Sequence, residues 1–443
     1  MSRGMLMIGL LLATGAVQAA EIAAGPMPGH SAMRQAKVWV QTDEPAEIEL
    51  RYWVEGQSEE TAMTGAVNTR AESVHAVTID VSQLEPGTEY RYEVLVDGEP
   101  QPPDFEQRFV TQPLWQWRED PPDFSFALGS CAYINESEYD RPGDPYGGDY
   151  QIFNAIAGGD PDFMLWLGDN VYYREADWDS ISGMYARLSH TRQLPEMQRL
   201  LTSTHHYATW DDHDYGPNNS DRGYPLREQA LRVFDDFWPN PDFSGAGTGG
   251  VTNYFEWHDA AFFMLDNRYF RQANDRVSGK RTILGQDQIE WLIDALKTSN
   301  ANFKFVVMGG QFLNSAEVFE TYAHIAPGER RAILDRLRAE DIPGVIFLSG
   351  DRHHSVFMTM ERRQTYPLHE WTVSPLTAGA GTPAEGEGQY RVEGSVYGER
   401  NFGRIEISGP RDDRQARLVL HDSHGEPVWE TTVRQRDLRL PEP

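Results

Sequence analysis

The sequence predicts an α/β chain, with strands alternating with helices in a core covered on both faces and a small all-β sandwich ahead of it. Two patterns carry this. From Phe124 onward, short unbroken apolar runs such as Asp162-Phe-Met-Leu-Trp-Leu and Phe303-Lys-Phe-Val-Val-Met alternate with helical stretches. Strands buried on both faces read this way. Before them, segments such as Lys37-Val-Trp-Val-Gln and Glu47-Ile-Glu-Leu-Arg-Tyr-Trp-Val alternate apolar and polar residues, the signature of half-buried strands. At 443 residues the chain also exceeds one ordinary core.

Arg3 precedes an apolar run from Met5 to Val17, and small residues surround Ala19 and Ala20. That is the form of a secretory signal, too short for a membrane span, so residues 1–20 are expected to be removed and the mature protein to be periplasmic or extracellular. A buried first helix would need a polar stripe that the run lacks. No later stretch reaches membrane-spanning length.

The sandwich is expected over residues 34–112. Its segment Leu84-Glu-Pro-Gly-Thr-Glu-Tyr-Arg-Tyr-Glu-Val resembles the turn and tyrosine corner of a fibronectin type III domain, with Tyr90 at the corner. A Pro- and Trp-bearing linker, Gln112 to Pro122, follows. The larger domain, 123–435, is expected to run strand Asp123–Gly129, helix Tyr150–Ile156, strand Asp162–Leu167, helical Asp177–Leu201 and strand Tyr207–Trp210. Helix Leu226–Phe237, a strand pair over Asn253–Asn267, helix Leu284–Thr298 and strand Phe303–Met308 come next. Helix Pro327–Ala339, strand Gly344–Ser349 and short strands over Asn401–Val433 complete it.

Acidic residues outnumber basic ones by 68 to 39, a formal net charge of −29. Such a surface repels polyanions, which argues against nucleic-acid or anionic-membrane partners. It does not exclude small anionic substrates, because bound cations reverse the potential locally. Most of the acid excess reads as a soluble surface.

Four strands end in polar clusters: Gly129-Ser-Cys131, Gly168-Asp-Asn-Val-Tyr172, Trp210-Asp-Asp-His-Asp214 and Gly350-Asp-Arg-His-His354. Functional groups collect beyond the carboxyl ends of strands in such sheets. One Asp-Gly strand end is ordinary turn chemistry, and Asp169 alone would read as a helix cap. Four clusters, all of metal-ligand residue types, point to a metal centre. Asp169 and Tyr172 are spaced to share one cation, with the carboxylate free to bridge to a second. Burying Asp211, Asp212 and Asp214 together without a cation would be costly. Asp212 is the preferred ligand there and Asp211 the next, while His213 is a candidate to face substrate as general acid. Asp351 and His353 can face one point. His354 is a second proton donor candidate, and Arg352 a charge for phosphate or for an Asp. Cys131, the only cysteine, reads as an inert buried thiol or a ligand. Gln311 and Asn314 are weaker candidates.

Together these segments resemble PhoD-type alkaline phosphatases, within the calcineurin-like metallophosphoesterases. The resemblance runs from about Phe124 to Phe402, and Leu284-Gly-Gln-Asp-Gln-Ile-Glu-Trp-Leu shares it. It implies a four-layer metallophosphoesterase-like β-sandwich flanked by helices. It also implies Cys131, Asp169, Tyr172, Asp212, Asp351 and His353 as metal ligands, with Asp169 bridging, and His213 facing substrate. Gln311 stands where the wider group has a ligating His. Ferric iron with calcium is the metal pair implied. A thiolate and a phenolate suit trivalent iron, and an oxygen-rich neighbour suits calcium, magnesium or manganese, with zinc also compatible.

The expected function is hydrolysis of small phosphate monoesters or diesters by a metal-activated water, in an exported protein acting as a monomer. A phospholipase-D-like diesterase of the same fold is one alternative. A non-catalytic secreted binding protein with a structural metal site is another, disfavoured because such a site needs no spare His.

Overall fold

A computed structural model describes residues 19–103, 105–242, 249–318, 320–383 and 387–440. Nearly all of the expected export signal lies outside them. No helix among the described residues is long and apolar enough to cross a membrane.

The N-terminal domain is a two-sheet sandwich. Ile22–Ser31, Gln35–Thr42 and Ala76–Ser82 form one sheet, and Glu47–Val54 with Glu89–Val96 are the centre of the other. Alternation sends Val38, Val40, Ile48, Leu50, Ile79, Val81 and Val94 into one core, as the period-two pattern requires. The corner residue behaves as the sequence implies: the Glu85 amide donates to the Tyr90 hydroxyl at 2.9 Å.

The larger domain has two six-stranded sheets. In the first the order is His205–Thr209, Phe163–Leu167, Phe124–Gly129, Asn401–Ser408, Gln415–Asp422, Pro427–Arg434. The first three strands are mutually parallel and the rest antiparallel. The second sheet runs Asn253–Trp257, Ala260–Met264, Phe303–Val307, Val345–Ser349, Leu368–Thr372, Val356–Met360. Its four central strands are parallel. The strands Val356–Met360 and Leu368–Thr372 add to those that the sequence pattern predicts.

Packing explains the unbroken apolar runs. Along Phe124–Gly129 and Phe163–Leu167, the residues Phe126, Leu128, Phe163 and Leu165 face the opposite sheet. Their neighbours Ala127, Met164 and Trp166 face helices. Phe126 stacks on Phe163 at 4.8 Å between ring centroids and meets Phe262 of the other sheet edge-on at 5.2 Å. The result is helix, sheet, sheet, helix. Parallel strands of both sheets then end along one rim, where the four polar clusters lie.

The two domains lock together at the edge strand His205–Thr209. The Val110 amide donates to His205 Nε2 at 3.0 Å, so that nitrogen is an acceptor; Nδ1 must carry the proton and donate to the Gly29 carbonyl at 2.7 Å. His205 is thus held neutral, and burial pulls its pKa from 6.5 down to about 4. The unfolded chain therefore takes up this proton first as pH falls. Stability from this site is complete above pH 6.5 and is lost between 6.5 and about 4. At about 1.4 kcal/mol per pH unit the loss is on the order of 3 kcal/mol. Urea midpoints of wild type should drop more steeply over that window than those of His205→Gln; parallel curves would refute the assignment.

Candidate metal centre

Each polar cluster owes its position to a local backbone device. Gly168 takes φ +94°, and a Cβ there would sit 2.8 Å from the Asp211 side chain. Gly309 lies so close to the Asp211 carboxylate that a Cβ would meet Cγ at 2.4 Å. Beyond these strand ends Cys131, Asp169, Asp351 and His353 all adopt left-handed backbone, with φ of 61°, 51°, 68° and 55°. Non-glycine residues rarely do so. This bends each chain back across the rim and directs the four side chains towards one region.

The donor atoms converge in three overlapping groups, each within 4.8 Å: Cys131, Asp169 and His353; Asp169, Asp212 and His213; Asp211, Asp212 and Asp351. Asp169 and Asp212 each belong to two of them. Asp169 Oδ2 lies 3.6 Å from Cys131 Sγ and accepts from the Tyr172 hydroxyl at 3.3 Å. Its Oδ1 accepts the His213 amide at 3.2 Å. His353 Nδ1 faces the Gly379 carbonyl at 2.5 Å, which assigns the proton to Nδ1 and leaves the Nε2 lone pair on the Tyr172 side, 3.1 Å from its hydroxyl. Imidazole ligands are oriented in this manner.

The acidic turn divides its labour by partner. Asp214 accepts the amides of Asp211 and Asn170, both at 2.9 Å; the first bond is half of a capping box in which Asp211 is the N-cap of the short helix Asp212–Tyr215 and Asp214 its third residue. Asp211 Oδ1 accepts from Asn267 at 2.9 Å and from the Arg268 guanidinium. Arg268 also pairs with Glu320 at 2.7 Å and lies 3.6 Å from Asp212. Asp212 Oδ2 takes the Asn219 amide at 2.5 Å. One oxygen each of Asp211, Asp212 and Asp351 is buried with no partner among the described residues.

Electrostatics reflect the crowding. Burial, then the Asp212 charge, pushes the Asp169 carboxyl well above the usual carboxylate range. Asp351 is raised by burial and by Glu320 and Asp211. Burial raises Asp214 to about 8 and, against the pull of Arg268, Asp211 to about 6. Burial lifts the Cys131 thiol to about 12, opposed by the Ser374 hydroxyl that donates to Sγ at 3.1 Å. Asp212 alone is lowered: Arg268 and His213 outweigh its burial. Dry, mutually repelling carboxylates with unpartnered oxygens, beside a thiol, a phenol and an imidazole lone pair, fit divalent or trivalent cations.

A cleft of about 870 Å³ opens onto this region, with Tyr133, Tyr146, Tyr172 and His213 in its wall. The His213 ring packs on Tyr172 at 4.2 Å between centroids. Arg174 stitches the cleft wall to the metal loop, pairing with Asp140 at 2.8 Å and donating to the Tyr172 carbonyl. His354 and Arg352 are turned elsewhere. His354 lines a separate small pocket with Gln311, Asn314 and Glu387, and Arg352 pairs with Glu387 at 2.7 Å. Gln311 spends its amide on Thr372 at 2.9 Å, and Asn314 donates to Gln311 at 2.8 Å. Sequence reasoning passes over Arg268, Asn267, Glu320, Ser374 and Tyr146, whose hydroxyl lies 3.1 Å from His353 Nδ1.

The PhoD-like phosphatase family profile matches residues 126–408, which spans the whole rim just described. The chain belongs to the PhoD-like phosphatase family. A second profile, a domain of unknown function (DUF7800), matches residues 19–114. Alkaline phosphatase D of Bacillus subtilis (strain 168) is 23% identical over 338 residues, 63% of this chain and 54% of that protein. The chain thus spans about half the length of this curated relative. Among solved structures, one of PhoD superposes with TM-score 0.76 at 16% identity, covering 96% of this chain and 93% of its own. Purple acid phosphatase PPD1 from yellow lupin (Lupinus luteus) seeds gives TM-score 0.69 at 12% identity, covering 95% and 75%. Both likenesses establish the fold: the PhoD-like domain is a metallophosphoesterase-type sandwich.

Removing Arg268 should expose the cost of the acid cluster. Arg268→Met leaves Asp211 buried without its cation, while Glu320 keeps Arg271 at 3.5 Å, and a loss of about 3–5 kcal/mol is expected in urea denaturation. A loss below about 1 kcal/mol would show that these carboxylates are neutralised by other means.

Proposed function

We propose that this chain is an exported, two-metal phosphoesterase that hydrolyses small phosphate monoesters, diesters or both. The observation that carries the reading is the double membership of Asp169, one carboxylate shared by two groups of candidate ligands. In this reading Cys131, Tyr172, His353 and Asp169 hold one cation, and a thiolate with a phenolate favours ferric iron. Asp169, Asp212 and Asp351 hold the other, an all-oxygen set suited to calcium, with manganese, magnesium or zinc as alternatives. Asp211 then serves Arg268 rather than a metal. Cations bound there supply a water of lowered pKa and neutralise charge building on the phosphoryl oxygens.

The protein's own residues do the rest. His213, in the cleft wall, faces the leaving oxygen and donates the hydrogen bond that becomes its proton. Its ring is restrained by Tyr172 and its amide by Asp169. Tyr133 and Tyr146 line the entry and exclude water from the reacting ester. His354 and Arg352 have no part in proton transfer here; the Arg352–Glu387 pair braces the loop that carries Asp351 and His353. Export is supported by Arg3, the apolar run to Val17 and the small residues at Ala19 and Ala20. The net charge of −29 favours neither nucleic acid nor anionic membranes as partners, and the protein is taken to act as a monomer.

Asp169→Asn tests the shared carboxylate. Elemental analysis should show loss of metal, and hydrolysis of p-nitrophenyl phosphate and bis(p-nitrophenyl) phosphate should fall more than about a hundredfold, beyond the usual cost of an outer-sphere change. Full metal content with undiminished turnover would sink the proposal. The ratio of the two rates in wild type decides between monoester and diester preference.

A further inference from the structure

A second cleft, of about 840 Å³, lies at the opposite end of the sheet. Asp259 and Asn302 line it from the amino ends of strands Ala260–Met264 and Phe303–Val307, whose carboxyl ends build the metal rim about 15 Å away along the strands. It shares no residue with the tyrosine-lined cleft. Its walls are Trp115 and Trp117 of the interdomain linker, Tyr254 of the edge strand Asn253–Trp257, and Trp291 of the helix Gln286–Thr298.

Two features single it out. Trp117 is 92% exposed and stands beside Trp115, Tyr254 and Trp291 in one cleft wall, a cluster of aromatic surface of the kind that marks binding sites. It is also held there in left-handed backbone, φ 59°, by a turn in which the Arg118 and Glu119 amides donate to the Trp115 carbonyl at 3.0 and 3.2 Å. A bulky residue in that conformation is uncommon. Of the charges around the cleft, Asp242 pairs with Lys37 at 3.0 Å and Asp259 with Arg414 at 3.0 Å, and Arg411 lies over Trp115, 5.4 Å from its ring centroid. Glu256 accepts the Tyr254 hydroxyl, and burial keeps His258 neutral at physiological pH.

Flat indole faces, beside hydroxyl and amide groups of Ser299 and Asn300, with the Glu256 carboxylate and the Arg411 guanidinium giving the wall charges of both signs, suit an uncharged ring ligand with apolar C–H faces and hydroxyl edges. We infer that this cleft binds a neutral oligosaccharide, stacked on Trp117 and Trp291. It is a holding site separate from the phosphate chemistry, and it stands whether or not the proposed reaction is correct.

Full-length protein is titrated by calorimetry with cellohexaose, chitohexaose and maltohexaose up to millimolar concentration. At least one should bind, and Trp117→Ala and Trp291→Ala should each weaken that binding at least about tenfold without altering p-nitrophenyl phosphate turnover. No binding by any of the three to active wild-type protein overturns the inference, as does binding indifferent to both substitutions. Loss of turnover in the Trp117 variant overturns the separation of the two sites. Binding of a proline-rich peptide with the same Trp dependence, in place of the sugars, makes the cleft a peptide groove and rejects the saccharide.

Discussion

Crowded negative charge in a dry place is the constraint on which the rest of this structure depends. Asp169, Asp211, Asp212 and Asp214 are all buried, and Asp351 adds an unpartnered buried oxygen. Charges so placed cost far more than they would in water. The protein relieves the crowding unevenly. Asp214 is satisfied by two amides, one of them the N-cap amide of Asp211. Asp211 receives Arg268 and Asn267. Of the rest, only Asp212 reaches that guanidinium, at 3.6 Å; Asp169 and Asp351 do not, an imbalance that a bound cation would relieve. The glycines at 168 and 309 make the geometry possible, since any Cβ there would strike Asp211. One imbalance of charge therefore explains the ion chain from Arg268 to Glu320, the turn sequence, and the positions reserved for glycine.

What can be read from the sequence follows the same physics. Strands with both faces covered write themselves as unbroken apolar runs, so Phe163–Leu167, Phe303–Val307 and Val345–Ser349 are evident at once. Ile22–Ser31 is not, because Gly25, Pro26, Pro28 and Gly29 break every strand pattern. It is a sheet-edge strand, and Gly29 presses so tightly on Pro239 that a Cβ would sit 2.3 Å away. That contact is set by tertiary packing and leaves no local signal. The two strands after the His353-His354 pair are similarly hidden by the polar motif before them. At the site, four strand ends are legible because metal-ligand types accumulate there. Asp266-Asn267-Arg268 follows the strand Ala260–Met264 and obeys the same positional rule, yet a basic residue does not look like a ligand. Which acid of Asp211–Asp214 caps the helix and which faces the cations is decided by Arg268 and Asn267, over fifty positions away in sequence, and no spacing within the turn encodes it.

The left-handed residues at 131, 169, 351 and 353 give the site its readiness. Each costs roughly 1–2 kcal/mol against an ordinary conformation, and they persist because rigid strands hold them from one side. Phe126, Phe163, Phe262 and Phe305 interlock beneath the rim, so the strand ends have little freedom to relax. Ligands borne on long loops would have to be ordered by the cations, and that cost would be subtracted from affinity. Here the Gly379 carbonyl fixes the His353 tautomer in advance and the sheets fix its direction. Strain is stored in the polypeptide, and the sheets hold these side chains in place.

The N-terminal sandwich belongs to this arrangement. The acidic turn follows the strand His205–Thr209, which lies at the edge of its sheet. Edge strands are the most easily displaced part of a sheet. This one is braced along its length. His205 bonds to Gly29 and Val110, and the Tyr207 hydroxyl accepts the Ser31 amide at 3.0 Å. Asn240 bonds both backbone groups of Ala208, at 3.0 and 2.9 Å. Trp39, pointing out of the sandwich core by alternation, donates to the Asp236 carbonyl at 2.8 Å and packs on Phe237. All three of these strand residues lean on elements that the sandwich supplies or holds in place. The N-terminal domain is thus the buttress of the strand that delivers Asp211 and Asp212 to the rim.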